Sequence, residues 1–146
     1  MIIRTMLAVG AIVVGITAVA AQQGTVIDQR KALMKRSGEQ ARIGAQMLKG
    51  EIPYDQAKAE AIFAAFADKA SKLADLFPAD SKTGETRALP AIWEKNDQFK
   101  ATIARFASDV REAQAKTKDL DSFKASFAAV GRNCTSCHET FRRPQT

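Results

Sequence analysis

Histidine and cysteine are scarce in this sequence, with one His and two Cys among 146 residues. All three lie in a single five-residue stretch, Cys134-Thr-Ser-Cys137-His138. This content excludes a scaffold held by several disulfides and any site that needs several histidines. It also excludes a Ser-His-Asp arrangement unless His138 serves it.

Aromatic residues other than phenylalanine are scarce too, with one Trp and one Tyr beside eight Phe. The chain is 46% hydrophobic and 26% charged, which is an ordinary globular composition. It is too short for a two-domain enzyme and too apolar for a disordered tail. One domain is therefore expected.

The sequence has a single long hydrophobic run, and it lies at the N-terminus. One charged residue, Arg4, precedes an apolar run that continues to Val19. Small residues follow, so we expect segment 1–20 to be a signal peptide cleaved near Ala20 or Ala21. The alternative is an uncleaved membrane anchor, but the run is ~14 residues against the ~20 that a spanning helix needs.

The mature chain, residues 21–146, is then an exported and moderately basic domain with no stable membrane span. Loss of Arg4 lowers the formal net charge of +6 by one. The basic residues are scattered, which argues against nucleic-acid binding. A mild positive field suits an acidic redox partner.

Four segments carry apolar or small residues at helical spacing, and none has the alternation of a strand. Their positions are Ile27, Met34, Ala41 and Leu48; Ile62, Phe66, Leu73 and Leu76 or Phe77; Ile92, Phe99, Ile103, Phe106, Val110 and Ala113; and Phe123, Phe127, Val130, Cys134, Cys137 and Phe141. Four amphipathic helices with mainly short connections predict an all-α fold, an antiparallel (up-down-up-down) four-helix bundle.

Turn and cap residues separate these helices. Gly50 ends the first helix and Asp55 caps the second, which stops at Pro78. Residues 79–90 have no period and form the longest loop, and Asp121 is expected to cap the fourth helix.

The Cys-x-x-Cys-His pattern is the attachment motif of c-type haem. On a helix, residues i and i+3 share a face, so Cys134 and Cys137 can form thioethers at one porphyrin edge while His138 reaches the iron. A thioredoxin-like pair is an alternative, but it would sit at a helix start in a βαβ unit. A zinc site is another, and it would need an Asp or Glu as its fourth ligand.

The sequence resembles the class II cytochromes c, the cytochrome c′ group, over nearly the whole mature chain. The segments that carry the resemblance are Arg30-Lys-Ala-Leu-Met34, Lys49-Gly-Glu-Ile-Pro-Tyr-Asp55, Leu76-Phe-Pro78, Glu85-Thr-Arg-Ala-Leu-Pro-Ala-Ile-Trp93, Phe99-Lys100, Phe127-Ala-Ala-Val-Gly131 and Cys134-Thr-Ser-Cys-His-Glu-Thr-Phe-Arg142.

The resemblance implies a role for each matching residue. Cys134 and Cys137 would hold one covalent haem c, with His138 as the proximal iron ligand. The residues implied to contact the haem propionates or the haem edge are Arg30, Lys31, Thr86 and Arg87. Arg142 matches a basic residue beside the proximal imidazole, and its i+4 spacing from His138 independently makes the two neighbours. A cation there should raise the reduction potential.

Met34 matches the distal position, where members of the group differ. Low-spin members bind iron there through a methionine sulfur and carry electrons. High-spin members leave the iron five-coordinate and bind NO or CO. Met34 could also be a plain core residue. We expect Met34 to be the second iron ligand.

The sequence therefore predicts a periplasmic single-electron carrier that is not an enzyme, because no second titratable pair accompanies the haem site. A high-spin protein that binds NO or CO is the alternative. The resemblance also implies that the first two helices could form a homodimer interface.

Overall fold

The computed structural model describes residues 14–144, and residues 1–13 of the predicted signal peptide lie outside them. Its helices are α1 (Val14–Leu48), α2 (Gln56–Leu73), α3 (Ala91–Glu94), α4 (Asn96–Lys116) and α5 (Leu120–Phe141). One 3-10 turn, Ala74–Leu76, extends α2. The four long helices form the predicted antiparallel bundle, in which α2 packs against α1 and α4, and α4 packs against α5. Among the described residues, no helix has both the length and the hydropathy required to cross a bilayer.

Two of the predicted helix boundaries are confirmed by the local geometry. Gly50 has a φ of 72°, the left-handed conformation that ends a helix at low cost for glycine. Asp55 caps α2, since its carboxylate accepts a hydrogen bond of 2.8 Å from the backbone N–H of Lys58.

The predicted cap of the last helix is wrong by two residues. Asp119, not Asp121, is the N-cap of α5, and its carboxylate accepts a 2.8 Å bond from the Ser122 backbone. The Ser122 hydroxyl in turn accepts from the Asp119 backbone N–H, which completes a capping box. Asp121 is the second residue of α5 and is exposed.

The predicted third helix is two helices, because the helical conformation is interrupted at Lys95, between α3 and α4. The one-turn helix α3 starts directly after Pro90, and the Lys95 N–H closes it on the carbonyl of Ala91. The heptad spacing continues across the break, so the hydrophobic period does not reveal it.

The core divides into two clusters, one towards each end of the bundle. The first cluster is tightly packed around the C-terminal part of α1 and the N-terminal part of α5; its members include Met47, Ile62, Phe63, Phe66, Phe106, Val110, Phe123 and Val130. The second lies where α2 ends and α4 begins, and its buried members are Leu73, Ile92, Phe99, Ile103 and Phe141. Only the second cluster has Met34 and Cys137 packed against it. The chemistry-bearing residues are thus gathered towards one end of the bundle.

The buried face of α1 is broader than the predicted stripe. Met47 is 2% exposed and Arg30 is 5% exposed, whereas Met34, Ala41 and Leu48 are half-buried. The same face includes Gly44, where an added Cβ would come within 2.5 Å of the Phe127 ring. A glycine is therefore required for the close approach of α1 and α5 at this point.

Candidate functional site

A cavity of about 290 Å³ opens beside the second core cluster, between α1, α5 and the loop that precedes α3. Eight of the nine residues singled out in the sequence line it: Arg30, Lys31, Met34, Thr86, Arg87, Cys137, His138 and Arg142. The rest of its wall is apolar: Leu73, Phe77, Ala88, Ile92, Phe99 and Phe141. The walls are therefore hydrophobic, and the ionisable lining residues are basic apart from the thiol and the imidazole.

The ninth residue, Cys134, lies on a narrower cavity of about 30 Å³ that adjoins the first. Met34, Cys137 and His138 line both cavities, so the two cavities adjoin at these residues. Both cysteines are half-buried free thiols on α5. Their i, i+3 spacing directs them to the same side of the helix.

The thiol of Cys137 is held in its neutral form. Burial raises its pKa above the usual value, and the positive charge of Lys69 opposes this only in part. A buried neutral thiol beside an apolar wall suits bond formation to an apolar ligand better than exchange with disulfides in solution.

His138 is half-buried on α5, four residues before Arg142. Burial, together with the nearby positive charges of Arg142, Lys69 and Arg87, lowers the pKa of His138 to about 4. The imidazole is neutral at pH 7 as a result. Neutral imidazole is the form that binds a metal.

Arg30 lines the cavity, and its guanidinium also has hydrogen-bond partners in the chain that follows α2. Its guanidinium is buried and donates hydrogen bonds to the carbonyl of Leu76 and to the carbonyl and hydroxyl of Ser81. Its Cζ also lies 4.1 Å from the centroid of the Phe77 ring. Arg30 therefore fastens α1 to the chain that follows α2, and it reaches the cavity wall as part of that fastening.

The loop before α3 is held against the end of α5 by a short ladder. Ala88 and Arg142 form an antiparallel bridge, flanked by hydrogen bonds from Leu89 N–H to Phe141 O (3.0 Å) and from Arg143 N–H to Arg87 O (2.9 Å). The Arg143 side chain adds a 2.7 Å bond to the carbonyl of Thr86. These contacts place Thr86 and Arg87 beside the haem-attachment motif that the sequence indicates.

Lys31 is exposed at the rim of the cavity and forms an ion pair of 3.4 Å with Glu85. Exposed pairs of this kind contribute little to stability. Lys31 can therefore exchange this weak ion pair for a contact with an anionic ligand at the rim.

Three residues of the site were missed in the sequence analysis: Lys69, Ser81 and Arg143. Lys69 is buried and lines the narrow cavity. It lies three residues after Phe66 and four before Leu73, so a signal existed: a charged residue inside the apolar stripe of α2. Ser81 and Arg143 act through loop hydrogen bonds, and no sequence period marks them.

The two alternative functions of the cysteine pair, a thioredoxin-like redox pair and a zinc site, find no support in the described part of the chain. The pair lies in the last third of α5, not at the start of a helix in a βαβ unit. Among residues 14–144, no group of three or more His, Cys, Asp and Glu side chains converges as a metal site would require.

An antiparallel helix bundle whose last helix presents a Cys-x-x-Cys-His motif to an apolar cavity defines a bundle-type cytochrome c. A family model described as "Cytochrome C'" matches residues 25–142. The chain belongs to the cytochrome c′ family, a family of haem proteins.

Known relatives carry two kinds of name. A cytochrome c′ of Rhodopseudomonas palustris is 47% identical over 134 residues, 91% of each chain. A cytochrome c-556 of the same organism is 38% identical over 146 residues, 96% of this chain and 97% of the other. The solved structure of cytochrome c′ from R. palustris has a TM-score of 0.80 and 48% identity, and covers 83% of this chain and 98% of that one.

Proposed function

We propose that this protein is a periplasmic electron carrier that holds one covalent haem c, with His138 as the proximal and Met34 as the distal iron ligand. The observation that carries the proposal is that Met34 on α1 and His138 on α5 line the same cavity. A thioether sulfur and a neutral imidazole are a donor pair that binds haem iron.

The residues around the cavity fit such a group. The apolar wall suits a flat macrocycle, Cys134 and Cys137 line the adjoining narrow cavity, and basic side chains line the larger one. When bound, haem supplies a one-electron ferric/ferrous couple. The chain's own contribution is to hold the group, fix its axial donors, exclude water and set the surrounding charge.

His138 is suited to ligation before any metal is bound, because its lowered pKa keeps the imidazole neutral at pH 7, with one ring nitrogen unprotonated. Arg142 is close enough to lower that pKa through its charge. The same cation would disfavour the oxidised state of a ligated iron and so raise the reduction potential.

The rim residues Lys31, Thr86 and Arg87 are assigned to the haem propionates or the haem edge. Carboxylates would meet the Lys31 ammonium, the Arg87 guanidinium and the Thr86 hydroxyl there. Arg30 lines the same cavity and is assigned to the propionates with them, and its hydrogen bonds also hold the loop that carries Thr86 and Arg87.

Export follows from the predicted signal peptide, residues 1–20, with cleavage near Ala20 or Ala21 and a mature domain of residues 21–146. We infer a periplasmic protein that exchanges electrons with acidic partner proteins, and we assign it no enzymatic reaction. A homodimer formed through α1 and α2 stays a prediction, which sedimentation of the purified protein would test.

A high-spin protein that binds NO or CO is the second candidate function. The relative with 47% identity is named a cytochrome c′ and the one with 38% a cytochrome c-556, so the names of the relatives do not choose between the two. The side chain of Met34 decides, because sulfur ligation would occupy the position that a gas needs.

Two matched variants on the same helix test the assignment. Met34→Leu removes the sulfur but keeps the volume of a lining residue. Met47→Leu makes the same change in the first core cluster, away from the cavity. CO is added to each reduced holoprotein and to the unmodified one, and the optical spectrum is recorded.

We expect CO to leave the unmodified protein and Met47→Leu unchanged and to bind readily to Met34→Leu. If the unmodified protein binds CO as readily as Met34→Leu, Met34 is a steric cover only. The gas-binding function would then replace the electron carrier.

A further inference from the structure

Lys69 is a buried lysine that the proposed function does not use. It lies on α2 with 7% of its surface exposed, among apolar neighbours. Its Nζ is 4.3 Å from the centroid of the Phe106 ring and 5.5 Å from that of Phe66. Aromatic faces attract a cation, so these rings stabilise the charged form of the side chain.

No carboxylate neutralises Lys69 among the described residues, since none of their ion pairs includes it. The adjacent acid, Asp68, instead pairs with Lys72 at 2.5 Å and with Arg36 at 3.6 Å on the solvent side of α2. Burial lowers the pKa of Lys69, while negative charge on the two thiols would raise it. The charged form is favoured by the geometry of the two aromatic rings, and no carboxylate among the described residues cancels its field.

The position of Lys69 relative to the haem site follows from the narrow cavity. Lys69 lines that cavity together with Cys134 and Cys137, and also with both proposed axial residues, Met34 and His138. The narrow cavity thus adjoins the haem site at the two cysteines, where the thioether bonds would form. Lys69 stands at this thioether edge, inside the bundle, away from the basic rim.

We infer that Lys69 is a potential-setting residue: a buried positive charge at the thioether edge that raises the reduction potential of the haem. The inference rests on the proposed haem site but not on the identity of the distal ligand.

The physical reason is a difference between the two oxidation states. Reduction removes one positive charge from the iron, so a nearby cation repels the ferric state more than the ferrous one. Between buried groups this repulsion is weakly screened by water or salt. An exposed lysine at similar distance would act much less.

The test is a redox titration of the purified holoproteins, followed by optical absorption at neutral pH. Lys69→Met removes the charge and keeps an unbranched side chain, and Lys69→Arg keeps the charge. Lys72→Met is the matched control, an exposed lysine on the same helix. Lys69→Gln provides a second neutral variant if Lys69→Met folds poorly.

We expect each neutral variant at position 69 to lower the equilibrium constant for reduction at least tenfold, which is about 59 mV for one electron. Lys69→Arg should stay within threefold of the unmodified protein, as should Lys72→Met. The inference is overturned if neutral variants at position 69 shift the potential no more than Lys72→Met does.

A failure of the proposed electron-carrier function can be distinguished from a failure of the role inferred for Lys69. A high-spin spectrum of the unmodified protein contradicts Met34 ligation but leaves the potential difference between variants measurable. Unchanged spectra with equal potentials contradict the role of Lys69 alone.

Discussion

Replacement of Arg30 should destabilise the fold and not merely weaken a contact with the cofactor. The guanidinium is 5% exposed and donates to the Leu76 carbonyl and to the carbonyl and hydroxyl of Ser81. Arg30→Met keeps an apolar stem beside Phe77 but leaves these acceptors without a donor. We therefore expect the loop that follows α2 to lose its attachment to α1.

The magnitude follows from the groups left unpaired. An unsatisfied buried acceptor costs about 1–3 kcal/mol, and two backbone carbonyls are affected. Loss of the stacking on Phe77 adds about 1 kcal/mol, while the variant no longer has to bury a guanidinium, which offsets part of the loss. The net decrease in the free energy of unfolding should be about 3 kcal/mol.

Urea unfolding of the holoprotein, followed by far-ultraviolet circular dichroism, measures this quantity. Arg36→Met is the matched control, because Arg36 is an arginine on the same helix that does not line the cavity and forms an exposed ion pair with Asp68. We expect that variant to stay within about 0.5 kcal/mol of the unmodified protein. A similarly small effect of Arg30→Met would refute the fastening role; a changed reduction potential with unchanged stability would favour the propionate contact instead.

Four further predictions concern the haem site and the helices. Expression without residues 1–20 should give colourless protein, because thioether formation is expected only after export; covalent haem in that cytoplasmic form would contradict the coupling. His138→Ala should keep the thioethers but lose the native Soret position, since His138 is the single histidine, and an unchanged absorption spectrum would remove it from the iron. Gly44→Ala should destabilise the protein by about 1–3 kcal/mol in urea because its Cβ would meet the Phe127 ring, whereas Gly38→Ala, with nothing within 4 Å of its Cβ, should not. Asp119→Ala should lower the midpoint of thermal unfolding more than Asp121→Ala, and equal midpoints for the two variants would contradict the assigned cap. Hydrogen bonds from Ser122 lower the pKa of Asp119, so the stability that the cap contributes should be fully present above the ordinary carboxyl pKa and should be lost as the pH falls through the pKa of the folded state.

The helix bundle could be predicted because its evidence is periodic. The apolar residues of α2, α4 and α5 repeat at helical spacing, and each helix must bury its stripe against the others. The first helix was predicted less well, because part of its buried face is not hydrophobic. Arg30 is buried because it bonds to the loop after α2, Ser37 because its hydroxyl bonds to the carbonyl of Leu33, and Gly44 because α5 approaches α1 closely there. Hydropathy predicts none of these three.

Boundaries that depend on single hydrogen bonds could not be predicted in the same way. Asp119 and Asp121 both precede the apolar run of α5, and the choice between them depends on the Ser122 hydroxyl. The break at Lys95 has no glycine or proline at the break itself, and the apolar spacing continues through it.

The residues of the candidate site could be predicted where they belong to a motif. They could be predicted less well where contacts between residues distant in sequence determine their position. Cys137 and His138 are set by their spacing, whereas the setting of Arg30 depends on Ser81, 51 residues away in sequence. Lys69 was missed because an isolated charge in an apolar stripe is usually placed at the surface by snorkelling, and here the rings of Phe66 and Phe106 enclose it.

The near-infrared absorption spectrum of the ferric protein at neutral pH tests the central claim most directly. With His138 and Met34 both on the iron, the spectrum should contain the charge-transfer band of a methionine sulfur–iron bond, and this band should be absent from Met34→Leu. A ferric protein that lacks the band and has a high-spin spectrum would contradict the account.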